Sequence, residues 1–247
     1  KLKCLQTGAA PITNDTALTA REIFGDTLWQ GYGQTEAVPV TMMGPRQWFA
    51  EIEGSEPLRS CGLVLPFADV EIWDENNNPL PQGEEGEIAL RCDGQMSGFW
   101  EDPEATEGRM VDGWVMTGDV GMIDRNGYLY LLDRAGDMIV SGGYNIYPAE
   151  LENVLCDHDA VVEAAVFAVP DERWGESPLA VCTINEGAGV TEAELVAFCA
   201  DRLGSYKRPR EVVLTKEPLP KSAVGKIQRK VLREPYWEGH KRRISGS

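Results

Sequence analysis

Histidine is scarce in this chain, and the scarcity narrows the chemistry. There are two in 247 residues, His158 and His240. A Ser-His-Asp or Cys-His hydrolase needs an imidazole placed by the fold beside its nucleophile. His158 lies in Cys156-Asp157-His158-Asp159 and His240 in a polar tail, neither within a nucleophile motif. Hydrolase chemistry is not expected. The six cysteines (Cys4, Cys61, Cys92, Cys156, Cys182, Cys199) include no Cys-x-x-Cys pair. Structural zinc is therefore not expected, and small buried hydrophobes in a reducing compartment are. No apolar run approaches the roughly 18 residues that a membrane helix needs, and Lys1-Leu2-Lys3-Cys4 leads into no signal-peptide core, so the expected address is cytoplasmic. Positive charge is also short: 23 Lys+Arg against 40 Asp+Glu leave a net charge of −17, which disfavours nucleic acid as a general partner.

What is present suits a folded globular chain of one or two domains, with 43% hydrophobic and 26% charged residues. The charge is uneven. Residues 202–247 hold 13 Lys+Arg against 4 Asp+Glu, a local excess of +9 in an acidic protein. An anion bound near the C-terminus is one reading of that excess, and a solvated basic face is the other.

Leu5-Gln6-Thr7-Gly8-Ala9-Ala10-Pro11 reads as a strand ending in a small-residue turn, Thr13 to Phe24 as a helix with Asn14 or Asp15 near its start, and Asp26 to Gly31 as a second strand, a βαβ-like wiring. Ligands gather at the carboxyl ends of such strands, where two Gly-containing segments lie. Residues 58–135 change character. Alternating stretches such as Asp69 to Trp73 and Glu87 to Leu90 point to short antiparallel strands in a small β-subdomain. A hairpin is expected around Arg125-Asn126-Gly127, with Asn-Gly supplying the positive φ angles of a tight turn. An α+β pattern follows: a helix from about Pro148, strands near Val161–Val169 and Leu179–Ile184, and a helix from Thr191. That helix carries a Thr191/Glu194 capping box and an apolar stripe of Leu195, Phe198, Cys199 and Leu203.

Gly31-Tyr32-Gly33-Gln34-Thr35-Glu36 gathers two glycines, an aromatic ring, a hydroxyl and a carboxylate, groups that suit a nucleotide. Glycines let backbone N–H groups approach phosphate, Tyr32 can stack on a base, and Glu36 with Thr35 offers hard oxygens to Mg²⁺. A plain turn is the competing reading. Asp119 in Thr117-Gly118-Asp119 can accept hydrogen bonds from ribose hydroxyls, or simply sit in a turn. Lys226, in the loop Pro220 to Lys226, is the candidate for contacting a reacting anion, against the alternative of a solvated lysine. No Walker-type phosphate loop precedes it.

These segments occur together and in order, and through them the chain resembles the adenylate-forming acyl-CoA synthetases, the AMP-dependent synthetase/ligase (ANL) superfamily. The resemblance rests on Thr7-Gly8-Ala9-Ala10-Pro11, Gly31 to Glu36, Gly113 to Asp119, Asp133 to Ile139, Ser141 to Pro148, and Pro220 to Lys226. It implies an α/β and α+β fold: the end of a large mixed α/β domain with a small β-subdomain (residues 1–135), then a compact, mobile α+β C-terminal domain (136–247) joined by a hinge. It implies a ligase that joins ATP and a fatty or aromatic acid into an acyl-adenylate, and then forms a thioester with CoA. By resemblance, Gly8, Ala9, Ala10 and Tyr32 enclose adenine within an ATP/AMP site that includes Gly31 and Gly33. Asp119 and Arg134 bind ribose, Thr35 touches phosphate, Glu36 holds Mg²⁺, and Lys226 bridges the carboxylate and the α-phosphate. Gly142 and Gly143 line the pantetheine channel, Trp174 stacks on the CoA adenine unless it is a core residue, and Tyr206, Arg208 and Arg210 meet the CoA phosphates. Val38, Pro39 and Val40 are expected near the acyl group.

Two positions depart from the family pattern. Gly136 stands at the hinge, where Asp or Lys is more usual, and Tyr144 stands where many relatives carry Glu. The phosphate loop and most of the acid pocket are missing, so the chain reads as the C-terminal portion of the enzyme and is expected to be incomplete alone. Any homo-oligomer is expected to form through the missing N-terminal part. The competing expectations are an adenylation enzyme that loads a carrier protein, and a non-catalytic nucleotide- or CoA-binding fragment.

Overall fold

The computed structural model describes residues 2–8, 12–222 and 225–239. They form two compact units, Lys1–Leu132 and Asp133–Ser247.

The first unit opens with β1 (Leu5–Thr7), α1 (Asn14–Phe24) and β2 (Leu28–Gln34), with β1 and β2 parallel. Thr13 caps α1, its side chain accepting from Thr16 N at 3.2 Å, and Gly25 at φ 68° closes the other end by donating to the Arg21 carbonyl. β2 runs past Gly31 to Gln34 because it pairs with β3 (Ala37–Met43), a strand the sequence pattern did not reveal. The short helix α2 (Pro45–Trp48), β4 (Gly62–Val64), β5 (Ala68–Trp73), β6 (Gly86–Cys92), the short helix α3 (Pro103–Glu107), β7 (Met110–Val111), β8 (Trp114–Ile123) and β9 (Tyr128–Arg134) follow. The sheet order is β1-β2-β3-β4-β9-β8-β6-β5, with β7 on β8. The expected strands at 69–73 and 87–90 are one antiparallel pair, Val70 opposite Leu90 and Ile72 opposite Ile88. Ile72, Ile88, Leu90, Val115 and Leu129 fill one core cluster; Leu28, Met43, Trp48 and Tyr128 fill another. Each fully buried aliphatic side chain contributes about 1.5–3 kcal/mol.

The β8–β9 hairpin forms where expected, with a different turn. Gly127 has φ 87°, while Asn126 is not left-handed. The Asp124 carboxylate instead accepts Asn126 N at 2.9 Å and Tyr128 N at 3.0 Å, so a longer loop with one left-handed glycine replaces the two-residue Asn-Gly turn.

The second unit holds β10 (Ile139–Ser141), β11 (Tyr144–Ile146), α4 (Pro148–Cys156), β12 (Val161–Asp171), β13 (Gly175–Ile184), α5 (Glu192–Leu203), β14 (Glu211–Thr215) and α6 (Arg229–Arg233). Its sheet runs β11-β10-β13-β12, with β14 parallel to β13. The capping box of α5 is formed: Thr191 Oγ1 accepts Glu194 N at 3.3 Å and Glu194 Oε2 accepts Thr191 N at 2.7 Å. Leu195 and Cys199 are buried, with Phe198 and Leu203 packed beside them. His158 is structural: Nδ1 accepts Ala160 N at 3.1 Å and its ring packs edge-on against Phe198. Cys92, Cys182 and Cys199 are buried and Cys61 and Cys156 half-buried, but Cys4 is exposed, contrary to the expectation of uniform burial. No helix among the described residues is long and apolar enough to cross a membrane.

Candidate functional site

In the first unit, the glycine-rich segment lies in β2, and the turn proper is Thr35-Glu36. Neither Gly31 nor Gly33 has a positive φ. They are required for close approach: a Cβ on Gly31 would lie 3.2 Å from the Thr41 carbonyl oxygen, and one on Gly33 would lie 3.0 Å from that of Ala37. A Cβ on Gly8 would meet the Gly31 carbonyl oxygen at 2.7 Å. The competing reading, a plain turn, holds only for Thr35-Glu36; Gly31 to Gln34 form a tightly packed strand. Ala9 and Ala10 lie outside the described residues.

From this strand Tyr32 and Gln34 reach Asp119. The Tyr32 hydroxyl donates to Asp119 Oδ2 at 2.7 Å, and Gln34 Nε2 donates to the same oxygen at 2.7 Å and to the Thr117 carbonyl at 2.9 Å. Arg109 Nη2 donates to Gln34 Oε1 at 3.2 Å. Asp119 is 4% exposed. Burial, reinforced by the Asp119 charge, pushes the Tyr32 phenol above its ordinary range, so it remains a donor. Two residues from separate motifs therefore meet, and the Tyr32 ring is held by its hydroxyl. Gln34 stood within a recognised motif, whereas nothing in the sequence marked Arg109. Thr117-Gly118-Asp119 is no isolated turn: it lies in β8, opposite the register shift in β6 between Glu87 and Ala89, with Gly118 at φ 68°.

Thr35 is exposed and Glu36 half-exposed. One carboxylate and one hydroxyl fit a Mg²⁺ ion held mainly by phosphate oxygens and water. Among the described residues no group of three His, Cys, Asp or Glu could cage a metal. Val38 and Pro39 are exposed, but Val40 is fully buried in the core, which removes it from the expected acyl contacts.

In the second unit, Gly142 (φ 59°) and Gly143 (φ 87°) form the two-residue turn between β10 and β11. Gly142 N donates to the Trp174 carbonyl at 3.1 Å, and a Cβ on Gly142 would lie 2.6 Å from Trp174 Cε3. Trp174, 39% exposed, sits in the β12–β13 loop and carries the Arg173 guanidinium 4.4 Å over its ring. Core packing is thereby excluded for Trp174. Asp171 shapes that loop, accepting Arg173 N and Trp174 N at 2.9 Å and pairing with Arg210. These contacts, working against burial, hold the Asp171 carboxyl below its usual range. Tyr206 packs against Tyr144 with ring centroids 5.3 Å apart, and Lys207 pairs with Glu150 at 2.6 Å. Arg208 is exposed.

Arg134, exposed, precedes a turn in which Asp137 N and Met138 N donate to its carbonyl. Gly136, inside that turn, lacks a positive φ and has open space where a Cβ would stand. Lys226 is exposed; its N–H donates to Ser222 Oγ at 3.2 Å. Three residues on, Arg229 binds three carboxylates, an arrangement the sequence reading missed because a buried arginine has no pattern to distinguish it from a surface one.

Two stretches of the chain, which include Gly31 to Glu36 and Trp174 to Lys226, match known sequence families. Residues 1–100 match the family of AMP-binding enzymes, and residues 150–226 match the AMP-binding enzyme C-terminal domain. The chain belongs to the AMP-binding enzyme family. Among its relatives in this ANL superfamily, a feruloyl-CoA synthase from Amycolatopsis sp is 40% identical over 95% of this chain and 46% of its own. A long-chain-fatty-acid–CoA ligase of Bacillus subtilis is 38% identical over 97% of this chain and 42% of its own. The structure of ATP-bound MatB from Rhodopseudomonas palustris superposes with a TM-score of 0.85 at 32% identity, over 96% of this chain and 46% of that one. The mixed α/β fold is thus that of the AMP-binding enzymes, and the chain spans less than half the length of these relatives.

Proposed function

We propose that this chain is part of an acid–thiol ligase, which converts a carboxylic acid and ATP into an acyl-adenylate and then forms a thioester with CoA. The observation that carries the proposal is the convergence of Tyr32 and Gln34 on one carboxylate oxygen of the buried Asp119. An Asp119 side chain oriented by two donors supports ribose recognition at the junction of two family motifs. In this reading Gly8, Ala9, Ala10 and Tyr32 border the adenine, Gly31 and Gly33 shape the nucleotide site, and Arg134 assists Asp119 at the ribose. Thr35 meets phosphate. Glu36 holds Mg²⁺, which would lower the charge on the polyphosphate. Lys226 neutralises the charge that builds as one anion attacks another.

For the thiol step, the exposed Trp174 supports stacking on the CoA adenine beside the Gly142-Gly143 turn, with Tyr206 at its rim. Arg208 is the cation best suited to the CoA phosphates, because Arg210 is paired with Asp171. Gly136 serves as the hinge that lets residues 136–247 move as a domain between the two half-reactions, since it adopts a backbone conformation open to any residue and keeps a glycine's freedom to leave it. The cytoplasmic address and any oligomeric contact belong to the same proposal and rest on the sequence reading.

ATP–pyrophosphate exchange by the full-length enzyme, against a panel of fatty and aromatic acids, tests the first half. Exchange with at least one acid is expected, and its absence with all of them would overturn the reading. Charge reversal at Arg208 should raise the KM for CoA while leaving exchange intact; an unchanged KM would favour a carrier-protein thiol as acceptor.

A further inference from the structure

Arg229, the first residue of α6, spans three carboxylates. Nε and Nη2 clasp Glu152 at 2.8 and 2.6 Å, while Nη1 donates to Asp133 at 2.8 Å and to Asp137 at 3.3 Å. Each partner is itself fixed. Asp133, with a side chain 2% exposed, accepts Arg134 N at 2.7 Å and Ala149 N at 2.8 Å; Glu152 accepts Val166 N at 2.8 Å; Asp137 also faces Arg233 at 3.5 Å. The Arg229 side chain is only 18% exposed. Burial alone would lower its pKa, but Glu152, then Asp133 and Asp137, more than offset this and keep it charged. A planar, five-donor guanidinium can clasp Glu152 through two bonds and still reach two more carboxylates, a four-bond fork that a three-donor ammonium cannot reproduce.

This hub anchors one end of the loop that carries Lys226. At the other end Glu163 of β12 accepts Leu219 N at 2.7 Å and pairs with Lys221 at 2.5 Å. Between the anchors, Gln228 N donates to the Pro220 carbonyl and Ser222 N to the Lys226 carbonyl, both at 2.8 Å. The loop is thus tied to β12 at its start. At its end Arg229 ties it to α4 and to the Asp133–Asp137 turn that contains Gly136.

We propose that Arg229 is a positioning residue: it sets the placement of Lys226 and couples the loop to the turn at Gly136. The role of Lys226 rests on the adenylation reading; the ordering of the loop does not. In the full-length enzyme, Arg229→Gln should speed amide hydrogen exchange across residues 219–222 and 225–228 by roughly tenfold or more, the order expected from breaking charge-assisted bonds, while β12 and β13 keep their protection. It should lower acid-dependent pyrophosphate exchange by a similar factor and spare the conversion of supplied acyl-adenylate with CoA. In a Lys226→Ala background the same substitution should add no further loss, because Arg229 acts through Lys226. Arg229→Lys, which retains the charge without the fork, should recover part of the effect. If Arg229→Gln fails to fold, Asp137→Asn removes the charge from the longest of these contacts and should give a smaller change of the same sign.

Unchanged loop exchange, or losses that multiply in the double variant, would overturn the proposal. An enzyme that shows no pyrophosphate exchange with any acid would sink the adenylation reading instead, and loop exchange alone would then decide the role of Arg229.

Discussion

The Tyr32 hydroxyl donates to Asp119 Oδ2 at 2.7 Å, joining residues 87 positions apart. Tyr32→Phe removes that donor and leaves Gln34 on the same oxygen. A buried carboxylate that loses one of its donors costs about 1–3 kcal/mol, and its aim is loosened with it. The variant should unfold at lower denaturant and show a raised KM for ATP in pyrophosphate exchange. Equal KM values in the two proteins would remove Asp119 from the ribose site.

The β8–β9 hairpin should carry a pH signature. Asp124 accepts Asn126 N, Tyr128 N and the Tyr130 hydroxyl. Burial opposes its ionisation, but these bonds, together with Ser55, hold its carboxyl below the usual range. Its phenolic neighbour Tyr130, pushed up to about 12 chiefly by burial, does not titrate in the same window. A depressed native pKa stabilises the fold above the unfolded value of about 3.9, and the gain is lost as pH falls through the native value. Asp124→Asn should therefore cost about 1–3 kcal/mol at pH 7, with the difference from the parent shrinking below about pH 4. Denaturant midpoints measured across pH would show it; a difference independent of pH would mean that shape, not charge, holds the turn.

Much of the architecture was legible because its signals are local. The Thr191/Glu194 box and the Leu195–Cys199 stripe mark α5, and alternation marks the strands around Val70 and Ile88. What escaped depends on partners distant in sequence. β3 reads as a continuation of a glycine-rich motif until Tyr32 is seen opposite Thr41. Gly31 and Gly33 look like phosphate-binding glycines, yet the neighbouring strand is what excludes a side chain there. Arg109 and Arg229 gain meaning only when Gln34, or Asp133 and Glu152, are brought to them from 75 to 96 residues away.

Lys226→Ala separates the two half-reactions. The side chain is exposed on its loop, so removing it should leave thermal stability within about 0.5 kcal/mol. Adenylate formation should fall by several orders of magnitude, while thioester formation from supplied acyl-adenylate stays within a fewfold of the parent. Equal loss in both steps would place Lys226 outside the adenylation chemistry.

Gly142 and Gly143 offer a contrast between backbone strain and a displaced ring. Both have a positive φ, so alanine at either costs about 1 kcal/mol of strain. Their surroundings differ: a Cβ on Gly143 meets nothing within 4 Å, whereas one on Gly142 would stand 2.6 Å from Trp174 Cε3 and 3.0 Å from Cζ3. The indole must move in the Gly142→Ala variant and need not in Gly143→Ala. With 5-fluorotryptophan incorporated, and the Trp174 signal assigned through Trp174→Phe, Gly142→Ala should shift that resonance and Gly143→Ala should leave it in place. If the displaced indole stacks on CoA, Gly142→Ala should also raise the KM for CoA several-fold, in proportion to the loss caused by Trp174→Phe. A shifted resonance with an unchanged KM would confine Trp174 to packing over the turn and move the acceptor site elsewhere on the second unit.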